Sequence, residues 1–209
     1  MVRKVLLVAL ATAAFSLPLN AQQYIGCPDT NPASSATNNT YPMGLGTEWR
    51  YQYMLPASCF PKSPFIITDM AFAQHGNFKS AHPGTYGTFQ VRMALTTATS
   101  LTTNFAANLG FSPITVMNRS TFKWAWVPDK WVDFGLDSKF PHDGSSNLVI
   151  EIRYTGGNSA SIPKRAESPA GGYRRYTNGA GAFNAATATG GGTTSLPKTR
   201  FTIEVISIV

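Results

Sequence analysis

Apolar and polar positions alternate with a period of two through most of this chain. In WRYQYML (49–55), Trp49, Tyr51, Tyr53 and Leu55 alternate with Arg50, Gln52 and Met54, the spacing of a half-buried strand. The three prolines of PASCFPKSP end it, since proline supplies no N–H to a ladder. FIITDMAF (65–72) predicts a second strand. In TYGTFQVRMALTT, Phe89, Val91, Met93 and Leu95 face one way and Gln90, Arg92 and Ala94 the other. ITVMN and TFKWAWV are short strands. NLVIEIRY sets Leu148, Ile150, Ile152 and Tyr154 against Glu151 and Arg153, and the β-branched RFTIEVISIV closes the chain as a strand. Only SLTTNFAANLG, near residues 100–109, has helical spacing. There Leu101, Phe105 and Leu109 recur every four residues, ahead of Gly110 at a C-cap position.

The stretch TFKWAWVPDKWVDFGLD (121–137) holds three of the four tryptophans. Phe122, Trp124 and Trp126 share one strand face, opposite Lys123 and Ala125, so that aromatic face predicts core. Trp131 follows the Val-Pro-Asp-Lys break and opens a new strand, WVDF. With Tyr173 and Tyr176 it is the candidate for a ring platform on which a sugar stacks.

Residues 22–46 are rich in Pro, Asn, Ser and Thr and read as an irregular N-terminal segment. A Gly-, Ser- and Thr-rich region at 155–199 reads mainly as loops around one strand, GYRRYTN, and a weaker one, AFNAATAT. No helix pattern follows its glycines, so they cradle no phosphate. Many short strands, polar turns and one short helix predict an all-β domain over 47–209. Its expected form is an antiparallel sandwich, preferably a jelly roll. No internal repeat at a fixed period is present.

The first residues change the setting. Arg3 and Lys4 precede an apolar run from Val5 to Leu17, and Ala21 offers a cleavage point, the pattern of a secretory signal peptide over 1–21. The run is shorter than the ~20 residues a bilayer requires, so no membrane span is expected in the mature chain. Export to the periplasm, cell surface or medium implies an oxidising compartment, where Cys27 and Cys59 are expected to pair. The formal charge of +7 includes Arg3 and Lys4, and no basic run exceeds two residues. A nucleic-acid footprint requires a denser stripe.

The succession RYQYMLPASCF, ITDMAF, GTFQVRMALTTATSLTTNFAANLG and WVDFGLDSKFPHDGSSNLVIEI resembles a group of secreted bacterial β-sandwich proteins, many of which carry a C-terminal PEP-CTERM sorting tail. The resemblance covers residues 50–154 and, loosely, the last strand. It implies an extracellular sandwich with no assigned reaction. The sequence departs from the group at Ile206-Ser207-Ile208-Val209, where no sorting tail follows.

Catalytic patterns are sparse. His75, His82 and His142 show no metal-ligand spacing. No GxSxG elbow occurs, and no cysteine remains if the pair is bonded. Paired carboxylates of a glycosidase would have to come from ten acidic residues in all. The densest acidic group is Asp129, Asp133, Asp137 and Asp143, and the oxygen ligands of Asp133, Asp137, Asp143 and Asn147 are the candidate calcium set. The expectation is a non-catalytic extracellular surface or matrix component with weak glycan binding. The alternatives are a subunit that self-associates through strand edges, and a jelly-roll hydrolase or lyase acting on polysaccharide.

Overall fold

The computed structural model describes residues 23–27, 30–33, 37–39, 41–43, 47–75, 83–125, 127–157, 164–167, 169–193 and 195–206. Residues 1–21, where a signal peptide is expected, His82 and Trp126 lie outside these residues.

In chain order the strands are β1 (Gln23–Cys27), β2 (Thr37–Asn39), β3 (Trp49–Leu55), β4 (Phe65–Ala73), β5 (Gly84–Tyr86) and β6 (Phe89–Thr96). After helix α1 (Phe105–Leu109) come β7 (Ile114–Arg119), β8 (Phe122–Trp124), β9 (Trp131–Asp133), β10 (Phe140–His142) and β11 (Asn147–Tyr154). The remainder are β12 (Lys164–Glu167), β13 (Tyr173–Asn178), β14 (Gly190–Gly192), β15 (Leu196–Pro197) and β16 (Thr199–Val205).

Two antiparallel sheets carry the fold. One runs β14-β13-β3-β11-β6-β7, and the other runs β1-β16-β4-β10 with β9 also paired to β4. Smaller sheets join β2, β12 and β15, and β5 with β8. The main sheets pack face to face. The Tyr53 ring meets Phe72 at 6.2 Å, and the Tyr53 and Thr199 hydroxyls lie 3.2 Å apart. Trp49, Tyr51, Phe89, Val91, Ile150 and Ile152, the apolar sets read from alternation, all lie buried between the sheets. This is an all-β sandwich.

The aromatic run behaves as its parity requires. Phe122 and Trp124 are buried and Lys123 is exposed. Trp124 meets Phe72 edge-on at 6.2 Å and packs on Phe134 at 5.7 Å. Cys27 and Cys59 form the expected disulfide, with Cα atoms 5.5 Å apart.

Three expectations change. The N-terminal segment is not wholly irregular, because β1 pairs with β16 and β2 with β12. Region 155–199 contributes β12 to β15, while AFN (182–184) is a 3-10 turn rather than a strand. Helix α1 covers only Phe105–Leu109, with Asn104 capping it by accepting from the Ala107 N–H. Leu101 nevertheless remains buried against it.

Candidate functional site

The outer face of the six-stranded sheet departs most from an ordinary sandwich. Every residue of β3 is buried, on both faces. Met54, Ala94 and Val149 on that outer face form a second small core with Leu101 and Leu109. The segment 101–109 therefore lies over the sheet. Residues 182–189 lie over it too. The Asn104 bridge to Thr187 and the Ala188 N–H donation to the Thr103 carbonyl tie the two covering segments together.

Beneath them lies a charged cluster. Register sets Glu151 of β11 opposite Gln52 of β3 and Arg92 of β6. Its carboxylate accepts from Arg50 Nε at 2.9 Å, Gln52 Nε2 at 2.7 Å and Arg92 Nε at 2.9 Å. Arg153 Nε stands 3.9 Å from the same Oε1 that Arg92 engages. Burial, reinforced by the nearby charges of Arg92 and Arg50 and opposed by Glu151, lowers the Arg153 pKa. The cluster also fastens its covers. Gln52 donates to the Phe105 carbonyl at 2.8 Å, and Arg50 donates to the Ala185 carbonyl at 2.6 Å. Asn108 donates to Gln52 Oε1 at 2.8 Å. Arg175 donates to the Leu101 carbonyl at 3.0 Å.

At the end of this face a groove of about 580 Å³ opens where β6 and β7 meet β10 of the other sheet. Its walls include Leu95, Thr96, Leu109, Phe111, Phe140 and Ser146, and no lining residue is ionisable. Gly110, at φ 62°, turns the chain out of α1. Phe111 follows with its ring wholly exposed at the groove. Such a lining suits an uncharged ligand that offers one face to a ring and hydroxyls to Thr and Ser.

The proposed ring platform does not form. Tyr173 and Tyr176 are three positions apart on β13, so strand alternation sends them to opposite faces. Tyr173 packs with the outer cluster and hydrogen-bonds Arg175 at 3.1 Å. Tyr176 packs inward, 5.3 Å from Tyr41 and 5.6 Å from Trp49. Trp131 belongs to the other sheet. Its indole N–H donates to the Thr30 carbonyl at 2.9 Å, and Arg200 lies over its ring.

The calcium candidates are likewise dispersed. Asp133 pairs with Arg200 and Asp137 with Arg119, each at 2.8 Å. The Arg119 hydrogen bond lowers the Asp137 pKa. Asp143 closes a turn onto Ser145 and Ser146; burial would raise its pKa, but hydrogen bonds from those serines lower it. Asn147 accepts from the Ala57 N–H and donates to the Ala98 carbonyl. Among the described residues no three His, Cys, Asp or Glu side chains form a group able to hold a metal. Asp69 is taken up by the N–H groups of Met70, Gly135 and Leu136. His142 stacks on Phe65 and meets Phe60 at a tilt, with ring centroids 4.6 Å away in each case.

Alternation in the sequence identified Arg50, Gln52, Arg92 and Glu151 as polar strand faces but not as one cluster. Strand alternation gives no hint of Phe111; the signal for it is a phenylalanine directly after the helix-ending Gly110.

The fold and site define an antiparallel β-sandwich with one sheet face overlaid by chain and a neutral groove at its end. The chain matches no protein-family model, and no curated protein or solved structure is significantly similar to it.

Proposed function

We propose that the chain is an exported, non-catalytic binding protein of the cell surface or extracellular matrix, and that it takes a glycan in the groove beside Phe111. The observation that carries this reading is the groove itself: about 580 Å³, with hydroxyls and an exposed ring but no titratable side chain. Polysaccharide cleavage by the usual glycosidase route requires two carboxyls across the scissile bond, and this lining offers none. The apolar run after Arg3 and Lys4 and the Cys27–Cys59 bond favour export. The resemblance to secreted bacterial sandwiches agrees with it.

A glycan array probed with the full exported chain should return a binding sugar, and Phe111→Ala should weaken it about tenfold without changing the fold. Unchanged binding by Phe111→Ala would remove the groove from the reading. Self-association through strand exchange is less favoured, because β1 already pairs with β16 of its own chain and is tied at Cys27.

A further inference from the structure

We propose that Arg92 and Arg153 form an anion-binding subsite beside the groove, for a carboxylate or sulfate carried by the glycan. The glycan part rests on the function proposed above; the anion subsite rests on the arginines alone.

The charge balance comes first. Arg50, Arg92 and Arg153 share a single carboxylate, Glu151. Among the described residues no other acid pairs with them, so two positive charges are left over. Glu48, just before β3, accepts from the Phe183 N–H at 3.4 Å. Excess charge of one sign, partly withdrawn from water, favours a counter-ion.

Position comes second. The Arg50 side chain is 8% exposed and is engaged by Glu151 and the Ala185 carbonyl. Arg92 and Arg153 are 19% and 18% exposed, and both reach toward the same Glu151 oxygen. Two guanidiniums that converge while still reached by water offer a fork to an oxyanion. Arg153 Nε donates to Gln90 at 2.7 Å and Nη1 to the Phe183 carbonyl at 3.4 Å, with the Phe183 ring under the guanidinium at 4.6 Å, so the side chain is held in place with its outer edge toward solvent.

Continuity with the groove comes third. Arg92 and Ala94 share the outer face of β6, about 7 Å apart at strand spacing, and Ala94 lines the groove. On β7, Thr115 pairs with Arg92 and Asn118 with Gln90, both exposed. An uncharged sugar against Phe111 and an acidic group on Arg92 and Arg153 would therefore lie along one strip.

The test has two arms. In the first, sodium sulfate is titrated into the full exported chain at fixed ionic strength, with the arginine Nε–H resonances followed by NMR. Saturable shifts of Arg92 and Arg153, about tenfold weaker in Arg153→Gln, are expected. Arg153→Lys keeps the charge and should retain part of the affinity, which separates a lost anion contact from a lost fold. Absence of saturation, or equal affinity in Arg153→Gln, overturns the subsite. In the second arm, glucuronate is compared with its methyl ester, which has the same ring without the charge. Preference for the acid, lost in Arg153→Gln and reduced in Phe111→Ala, supports an acidic glycan. Sulfate binding with equal affinity for acid and ester leaves a free-anion site and overturns the glycan assignment. Sugar binding weakened by Phe111→Ala, with no response to sulfate or charge, leaves the groove reading and overturns the subsite.

Discussion

Replacing Glu151 by glutamine keeps the size of the side chain and removes the one negative charge at the centre of the arginine cluster. Glu151 is fully buried and accepts from Arg50, Gln52 and Arg92. Glutamine has one acceptor oxygen, and its amide nitrogen must face donors that it cannot satisfy. At least one side of the carboxylate is thus lost, either to Arg92 or to Arg50 and Gln52. Charge-assisted hydrogen bonds contribute about 1.5 to 3 kcal/mol each, and breaking a buried pair typically costs about 3 to 5 kcal/mol. We expect the larger range, because three guanidiniums would then face one another without a carboxylate. Urea denaturation should show a loss of about 3 to 5 kcal/mol, a large part of the ~5 to 15 kcal/mol that holds a typical domain. Raising sodium chloride should shrink the deficit by screening the arginines. Amide exchange in α1 should accelerate, since Gln52 also donates to the Phe105 carbonyl. A loss below about 1 kcal/mol, the size of a surface ion pair, would refute the view that Glu151 organises this face.

Trp124→Ala should cost about 3 to 5 kcal/mol as a large core truncation, while Trp131→Ala, half exposed on β9, should cost much less; parallel denaturation curves order the two. Thiol titration of the denatured, unreduced protein should find no free thiol, and reduction should cost about 3 to 4 kcal/mol for a loop of this length. Burial lowers the His142 pKa below its ordinary 6.5 against the opposing pull of Asp143, and Nδ1 accepts the Gly144 N–H at 2.9 Å. Its contribution to stability is therefore complete above about pH 6.5 and is lost as pH falls from there toward the depressed folded value. Urea midpoints between pH 7.5 and 5 should decline, and His142→Phe should flatten that decline. N-terminal sequencing of exported protein should begin near residue 22; retention of Met1 would contradict the signal sequence.

The inward faces were legible because a strand has a strict period. Trp49, Tyr51 and Tyr53, or Ile150 and Ile152, declare a buried side without any knowledge of their partners. The outward faces were less legible, because alternation does not say whether a polar face meets water or another segment. A signal was nonetheless present. Met54, Ala94 and Val149 interrupt the polar faces of three strands, and register aligns them across the sheet. Apolar residues on both faces of adjacent strands mark a sheet with a second cover. The glycine-rich strand β14 was hidden for a different reason. Its Gly190 lies so close to the Tyr176 ring that a Cβ would come within 2.5 Å of it, and such an approach leaves no side chain with a strand preference.

The polar cover has a physical consequence for the proposed function. A lid fastened by apolar contact alone slides easily, because dispersion has no direction. Here Gln52, Asn108, Arg50 and Arg175 fix the covers through directional hydrogen bonds to named carbonyls and side chains. Those bonds hold α1 on the sheet, and Gly110 at its end turns the chain out to Phe111. The same carboxylate that anchors Arg50 and Gln52 also holds Arg92 beside the groove. The exposed ring and the half-buried guanidinium are therefore tied to one buried cluster. A surface built this way meets its ligand with little ordering left to do, and the ordering entropy of long side chains is a main cost of binding.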